Sequence, residues 1–467
     1  MEDAGVADGG GLSVGSRDAA AERQATLDAP LKSDIGTEGA VDAPTGTVDG
    51  GSASSETGGN STRVDSGAGG VVGANCTGKS PTAFGYIATS DSDLHYTSGV
   101  GVQTATEFLT FNGYVGPAST DADGGAPAAV NRIDVQHFDA ATAKSKGHAT
   151  SLLTAAGDGS GLYINGAAIA PTGEIAIIYS ARSPGAWGVY LVFLSKDLTV
   201  NQTTQLVALG SDSYQDQSYV QWIGGKFVAS AVVGANPVTI KVVKYGADGA
   251  NAGGISAIPT DDPSGHVRWW NAGEGEVASS GSQLATIYYS SNDGLPYVSI
   301  VDASGIAVGG PIALPSALNN ANLNTYGAAI AGTAQGFMAV YPGTSSAGAN
   351  SLLATFVSSA PAVDAGASPS TTYSFSGGYP LQSPWGTRGS SDGIGAGFAV
   401  LYPDGSVSFF YFTGNGAGHA SPQSVLTQAN GASTYDEVQI TNFGGNFAVS
   451  LYSNAEHLTR VVASGCQ

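Results

Sequence analysis

The side chains best suited to chemistry gather in a few short polar and aromatic stretches. One is Tyr214-Gln-Asp216-Gln217-Ser-Tyr219. The next runs from Asp261-Asp262 to His266, Arg268, Trp269 and Trp270, followed by Asn322, Asn324 and Tyr326. Two more hold Trp385, Arg388 and Asp392, and Tyr435, Asp436 and Glu437. Flat aromatic faces beside carboxylates and amides suit sugar rings, which have an apolar face and hydroxyl edges. Tyr214, Asp216, His266, Arg268, Trp269, Trp385, Arg388 and Asp436 are therefore the candidate ligand-binding residues. A bland reading stands beside this one: large aromatics more often pack than bind. In it the tryptophans fill gaps between sheets, and Arg268 or Arg388 pairs with an acid to fix a loop.

Other chemistries lack their residues. No nucleophile elbow, HExxH helix, P-loop or dinucleotide glycine pattern occurs. The six histidines have no i, i+2 or i, i+4 pairing, so no zinc site is expected, and no cofactor or catalytic residue is assigned. Asp121-Ala-Asp123-Gly124 looks like half a calcium loop, but the twelfth position is Arg132, and the stretch reads as an acidic surface loop. Asp261, Asp262, Asp436 and Glu437 could supply the two carboxyls of a glycosidase, one of which would need a raised pKa.

The elements that position these residues repeat. Glu174–Leu209 reads as strand, turn, strand, turn, strand, and the pattern returns down the chain. Equivalent points fall at Ile175, Phe227, Leu284, Phe337, Phe398 and Phe447, spaced by 52, 57, 53, 61 and 49 residues. The runs IAIIY, GVYLVFL, TIKVVKY and GFAVLY are nearly continuous in apolar residues. A one-sided antiparallel sheet would alternate, so these strands are expected to be covered on both faces. Four short strands per unit at this period are the signature of propeller blades. Residues 80–467 resemble bacterial β-propellers in general. The boxes of propeller sialidases are not matched: Ser291-Asn-Asp293-Gly294 and Ser390-Ser-Asp392-Gly393 have the wrong spacing.

The expected fold is an all-β propeller over 76–467, with six repeats plus a divergent first blade at 93–153 making seven blades; six is the alternative count. The last repeat lacks a fourth strand, and Phe84–Ala88 is a strand to spare, so the N-terminal strand is expected to complete the last blade and close the ring. Cys76 and Cys466 flank this domain, and in a closed ring they would be neighbours, so a disulfide between them is expected. It would imply an oxidising compartment.

Residues 1–75 hold no aromatic residue, 12 acids and 4 bases. Such a segment cannot bury enough apolar surface to offset its ordering entropy, so it reads as a disordered tail. It resembles the Asp/Gly/Ser-rich spacers that follow the lipidated cysteine of envelope lipoproteins in bacteria with GC-rich genomes, which implies a tether. No lipobox cysteine is present, and the acidic start Met1-Glu2-Asp3 lacks the basic and apolar regions of a signal peptide. Either the protein is cytoplasmic or this chain is without its leader; the cysteine pair favours the latter. Net charge is −21, which disfavours nucleic acid and anionic membrane surfaces as partners, and no apolar run is long enough to span a bilayer. The function expected is a non-enzymatic binding or scaffold protein of the cell envelope or extracellular space, with a glycan or protein ligand at the mouth of the propeller channel. A glycan-active hydrolase or lyase, and a protein–protein scaffold, are the alternatives.

Overall fold

The computed structural model describes the chain from Pro81 to Cys466, apart from connections that include 91–95, 118–128, 260–266, 269–275, 316–326, 360–370, 376–385, 414–422 and 427–434. The first strand is β1 (Pro81–Thr89). Blade 1 is β2 (Ser98–Gln103), β3 (Glu107–Pro117), β4 (Ala129–Asp139) and β5 (Thr150–Thr154). Blade 2 is β6 (Leu162–Ile169), β7 (Ile175–Ser183), β8 (Ala186–Leu194) and β9 (Val200–Gly210). Blade 3 is β10 (Ser213–Ile223), β11 (Lys226–Val233), β12 (Thr239–Tyr245) and β13 (Asn251–Pro259). Blade 4 is β14 (Val267–Arg268), β15 (Val277–Ser280), β16 (Gln283–Ser290), β17 (Pro296–Val301) and β18 (Ile312–Ala313). Blade 5 is β19 (Ala329–Gly332), β20 (Gly336–Thr344), β21 (Asn350–Ser358) and β22 (Thr371–Phe375). Blade 6 is β23 (Thr387–Ser391), β24 (Gly395–Leu401), β25 (Val407–Thr413) and β26 (Gln423–Leu426). Blade 7 takes β27 (Glu437–Phe443), β28 (Asn446–Ser453) and β29 (Leu458–Cys466).

Each blade is an antiparallel sheet whose strands follow chain order, so its first strand lies at one edge. These first strands touch around the axis, as at β2–β6, β6–β10, β19–β23, β23–β27 and β27–β2. Ring closure follows expectation: β1 pairs with β29, and blade 7 runs β1-β29-β28-β27. The C-terminal strand thus has partners on both edges, and the blade that the chain's end leaves one strand short is completed by its beginning.

The apolar runs are explained by where their side chains go. Among the described residues there are seven apolar clusters, one in each gap between neighbouring blades. In β7, Ile175, Ile177 and Tyr179 face blade 1, whereas Ala176 and Ile178 face blade 3. Alternation persists, but both faces are apolar because both are covered.

The polar stretch Tyr214–Tyr219 is not a connection but the first half of strand β10. Blade 4 has two short strands on its inner side, β14 (Val267–Arg268) and β15 (Val277–Ser280), which both pair with β16. Arg268 stands opposite Tyr289 and Val277 opposite Thr286. The glycine-rich β2 was also missed. Near the axis the blades converge and leave little room for side chains, so inner strands can look like loops in sequence.

Gly332 shows how tight that convergence is. A Cβ there would lie 1.8 Å from the backbone oxygen of Ser279 in the neighbouring blade. Backbone cannot swing aside as a side chain can. Gly332→Ala should therefore force blades 4 and 5 apart and cost about 3 kcal/mol, read as a lower midpoint in urea unfolding; an unchanged midpoint would refute the close packing.

Candidate functional site

A propeller has a built-in polar problem at its axis. Each inner strand bonds its own blade along one edge, and its other edge turns N–H and C=O groups towards the channel. Buried groups of this kind need partners. Here they receive them from side chains of other blades. The N–H of Ile164 donates to Ser98 Oγ at 2.7 Å, from blade 2 to blade 1. Thr97 Oγ1 donates to the Leu162 carbonyl at 2.7 Å across the same boundary. Asn165 donates to Ser218 Oγ at 2.6 Å, joining blades 2 and 3.

The densest of these arrangements spans four blades. Glu276, the residue before β15, accepts the N–H of Ile330 from β19 at 3.1 Å and that of Gly389 from β23 at 3.2 Å. Its Oε1 lies 3.9 Å from Nε of Arg388. From the far side, the Tyr219 hydroxyl on β10 donates to the Gly389 carbonyl at 2.8 Å, and the Gln221 amide reaches the same oxygen at 3.4 Å. Glu276 is 1 % exposed, Arg388 2 % and Tyr219 3 %. Blades 3 and 6 are not neighbours in the ring, so contact between them means that the channel is bridged at this level. Burial pushes the Glu276 carboxyl well above its usual range, opposed by its two backbone donors. Burial likewise raises the Tyr219 hydroxyl.

Every inner strand is the first of its blade, so all of them run the same way along the axis and start at one mouth, the leading mouth. In sequence, His266 immediately precedes β14, Trp385 stands two residues before β23, and Asp436 immediately precedes β27. Two candidates are described in full. Arg388 lies one residue into β23 and is buried beside Glu276. Asp436 just precedes β27 and is half-buried; its N–H donates to the Tyr452 carbonyl at 2.9 Å and its carboxylate accepts the Asn454 N–H at 2.7 Å. Burial raises its carboxyl from the ordinary 3.8, against the bonds from Asn454. Tyr214 and Asp216 lie on β10 and Arg268 on β14, placed by backbone alone. His266, Trp269, Trp385, Cys76 and the Asp121–Gly124 stretch lie outside the described residues. Cys466 is the last residue of β29, paired with Pro81.

The rim also holds residues that the sequence reading passed over. Tyr163, the second residue of β6, lies against Trp187 on β8, ring centroids 5.5 Å apart and tilted by 36°. Two blades round the ring, burial pushes the Tyr452 hydroxyl up, helped by Glu437, Asp436 and Tyr163. Tyr452 in turn donates to the carbonyl of Tyr96 just before blade 1. Glu276 was missed because a single acid before a short strand has no local signature; its partners are 54 and 113 residues away. Among the described residues no group of His, Cys, Asp and Glu is arranged to hold a metal ion, and no helix is long and apolar enough to cross a membrane.

Glu276→Ala would leave two amides without their acceptor and remove the carboxylate beside a buried guanidinium. A loss of about 3–5 kcal/mol is expected in denaturant unfolding. The double change Glu276→Gln/Arg388→Met should cost less than Glu276→Ala alone, because it removes both buried charges and retains an acceptor oxygen. Wild-type stability in Glu276→Ala would show that the axial bridge carries no weight.

No family model and no curated protein matches the chain. Solved structures similar to it include an alpha-L-arabinanase of Penicillium chrysogenum complexed with arabinobiose, at 11 % identity over 65 % of this chain and 93 % of that one, TM-score 0.40. Another is the β-propeller domain of the Trilobed protease from Pyrococcus furiosus, at 6 % identity, 77 % and 92 % coverage and TM-score 0.38. A third is the NanB sialidase of Streptococcus pneumoniae, at 11 % identity, 81 % and 69 % coverage and TM-score 0.36.

Proposed function

We propose that this propeller is a non-enzymatic binding protein of the cell envelope or extracellular space that takes a glycan at its leading mouth. The observation carrying this reading is the contrast between the two mouths. At the leading mouth the described rim holds the Tyr163–Trp187 pair, and in sequence His266 and Trp269 flank β14 while Trp385 stands two residues before β23. At the opposite mouth, inner strands pass to second strands by tight turns such as Gly224-Gly225, both at positive φ. The bridge at Glu276 gives the leading mouth a floor, which suits a bowl better than a pore. Aromatic faces with amides and carboxylates at the rim match the two surfaces of a sugar. The N-terminal 75 residues serve as a tether.

A second reading has one observation in its favour. Asp436, with its carboxyl raised by burial, adjoins Glu437 at the same mouth, and a raised carboxyl is what a general acid requires. Hydrolysis of a bound glycan that is abolished by Asp436→Asn would replace binding with catalysis.

The direct test is a glycan array probed with the full chain and with the triple variant His266→Ala/Arg268→Ala/Trp385→Ala. Binding by the chain and its loss in the variant are expected; an identical profile would end the reading. The compartment is tested through the cysteines. Pro81 pairs with Cys466, and Cys76 is only five residues before Pro81 in sequence, so a Cys76–Cys466 bond would anchor β1 on β29. In non-reduced protein purified from the producing cell's exterior, neither cysteine should be alkylated; labelling of both would remove the clasp.

A further inference from the structure

The Tyr163–Trp187 pair is built into blade 2 in a particular way. Gly161, Arg182 and Trp187 lie in a row across the sheet: the Arg182 N–H donates to the Gly161 carbonyl at 3.0 Å, and Arg182 faces Trp187 in the β7–β8 ladder. Directly opposed residues on an antiparallel pair project from the same face. A Cβ on Gly161 would fall 2.6 Å from the far edge of the Trp187 indole and 3.4 Å from Arg182 Cβ. The indole therefore lies back across the sheet over the inner strand, in space that only glycine leaves free. Tyr163, two residues further along β6, meets it there. This is the face turned to blade 3, as shown by Asn165, which bonds both Ser180 and Ser218. The apolar packing between these blades includes Val220.

Tyr163 and Trp187 are both half-buried, while Arg182 is exposed. Among the described residues no carboxylate pairs with Arg182. By contrast Arg132, Arg388 and Arg460 each have an acid nearby. In a chain with 37 acids and 16 bases, an exposed guanidinium with no carboxylate partner among the described residues, beside an aromatic pair, is a specific local feature. A guanidinium grips a carboxylate through two parallel N–H bonds, and an aromatic face takes the apolar side of a sugar ring.

We infer that the cleft end formed by Tyr163, Trp187 and Arg182 is a subsite for an acidic sugar at the end of an oligosaccharide. The rings carry the sugar's apolar face and Arg182 takes its carboxylate. A terminal acidic sugar fits better than a polyanionic chain, because the overall charge of −21 repels extended negative charge. The inference rests on the reading of the leading mouth as a glycan face and adds to it the class of sugar and the residues that select it.

The test is calorimetric titration of the full chain with two trisaccharides, one ending in glucuronic acid and the other in glucose, so that they differ only in carboxylate against hydroxymethyl. The acid-ended sugar is expected to bind about tenfold more tightly, the value of one charge-assisted contact. Arg182→Gln, an exposed change that leaves the core intact, should erase that preference while keeping the weaker neutral affinity. Trp187→Ala should weaken both sugars. Equal affinity of the two sugars for the unaltered chain, or a preference that survives Arg182→Gln, overturns the subsite. If neither trisaccharide binds while array binding remains sensitive to Trp385, the subsite falls and the glycan face stands. If the array is also blank, both fall.

Discussion

The constraint on which this molecule depends is the unpaired edge of its inner strands. Seven sheets arranged about an axis each turn one edge inward, and buried amides and carbonyls at that edge cannot be left without partners. The chain meets this by lending side chains across blades: Ser98 and Thr97 at one boundary, Asn165 at the next, and Glu276 with Tyr219 and Gln221 at the centre. The last of these uses a buried carboxylate, a costly group. Its position is informative for that reason: one residue bonds inner strands of two other blades and lies beside the guanidinium of Arg388.

The same arrangement divides the molecule into two functional halves. Apolar clusters between blades and the polar bridge on the axis hold the ring, and they consume the buried charged pair in doing so. In the proposed reading, a ligand meets the rim where the inner strands begin. There the connections are long, and side chains such as Trp187 and Arg182 are held by the ladder beneath them without being buried by it. A rigid scaffold carrying variable connections is a common way to separate stability from recognition.

Much of the fold was legible along the chain. Repeats near fifty residues, apolar runs without surface alternation, and a last repeat one strand short together implied a ring closed by its own beginning, and β1 does pair with β29. Less of the candidate site was legible. Arg388 and Asp436 were singled out as polar residues near strand starts; one lies buried against Glu276 and the other binds the turn at Asn454. Tyr163, Trp187 and Arg182 were overlooked because each sits inside or beside an apolar strand run, where sequence shows packing and not exposure.

The sequence by itself determined the local and periodic properties: strand content, period, acidic charge, and the tight turns between strands. These depend on neighbours within a few residues, or on composition, and so can be read in one dimension. Only the tertiary structure decided which polar groups meet at the axis. Tyr219 and Gly389 are 170 residues apart and share a hydrogen bond because the ring brings their blades face to face across the channel. It also decided that β14 and β15 share one partner, β16, since pairing is defined by the neighbouring strand and not by either segment alone. The chemistry-bearing types were visible from the start, but closure of the ring determined that Arg388 lies buried beside Glu276 while Asp436 is only half-buried.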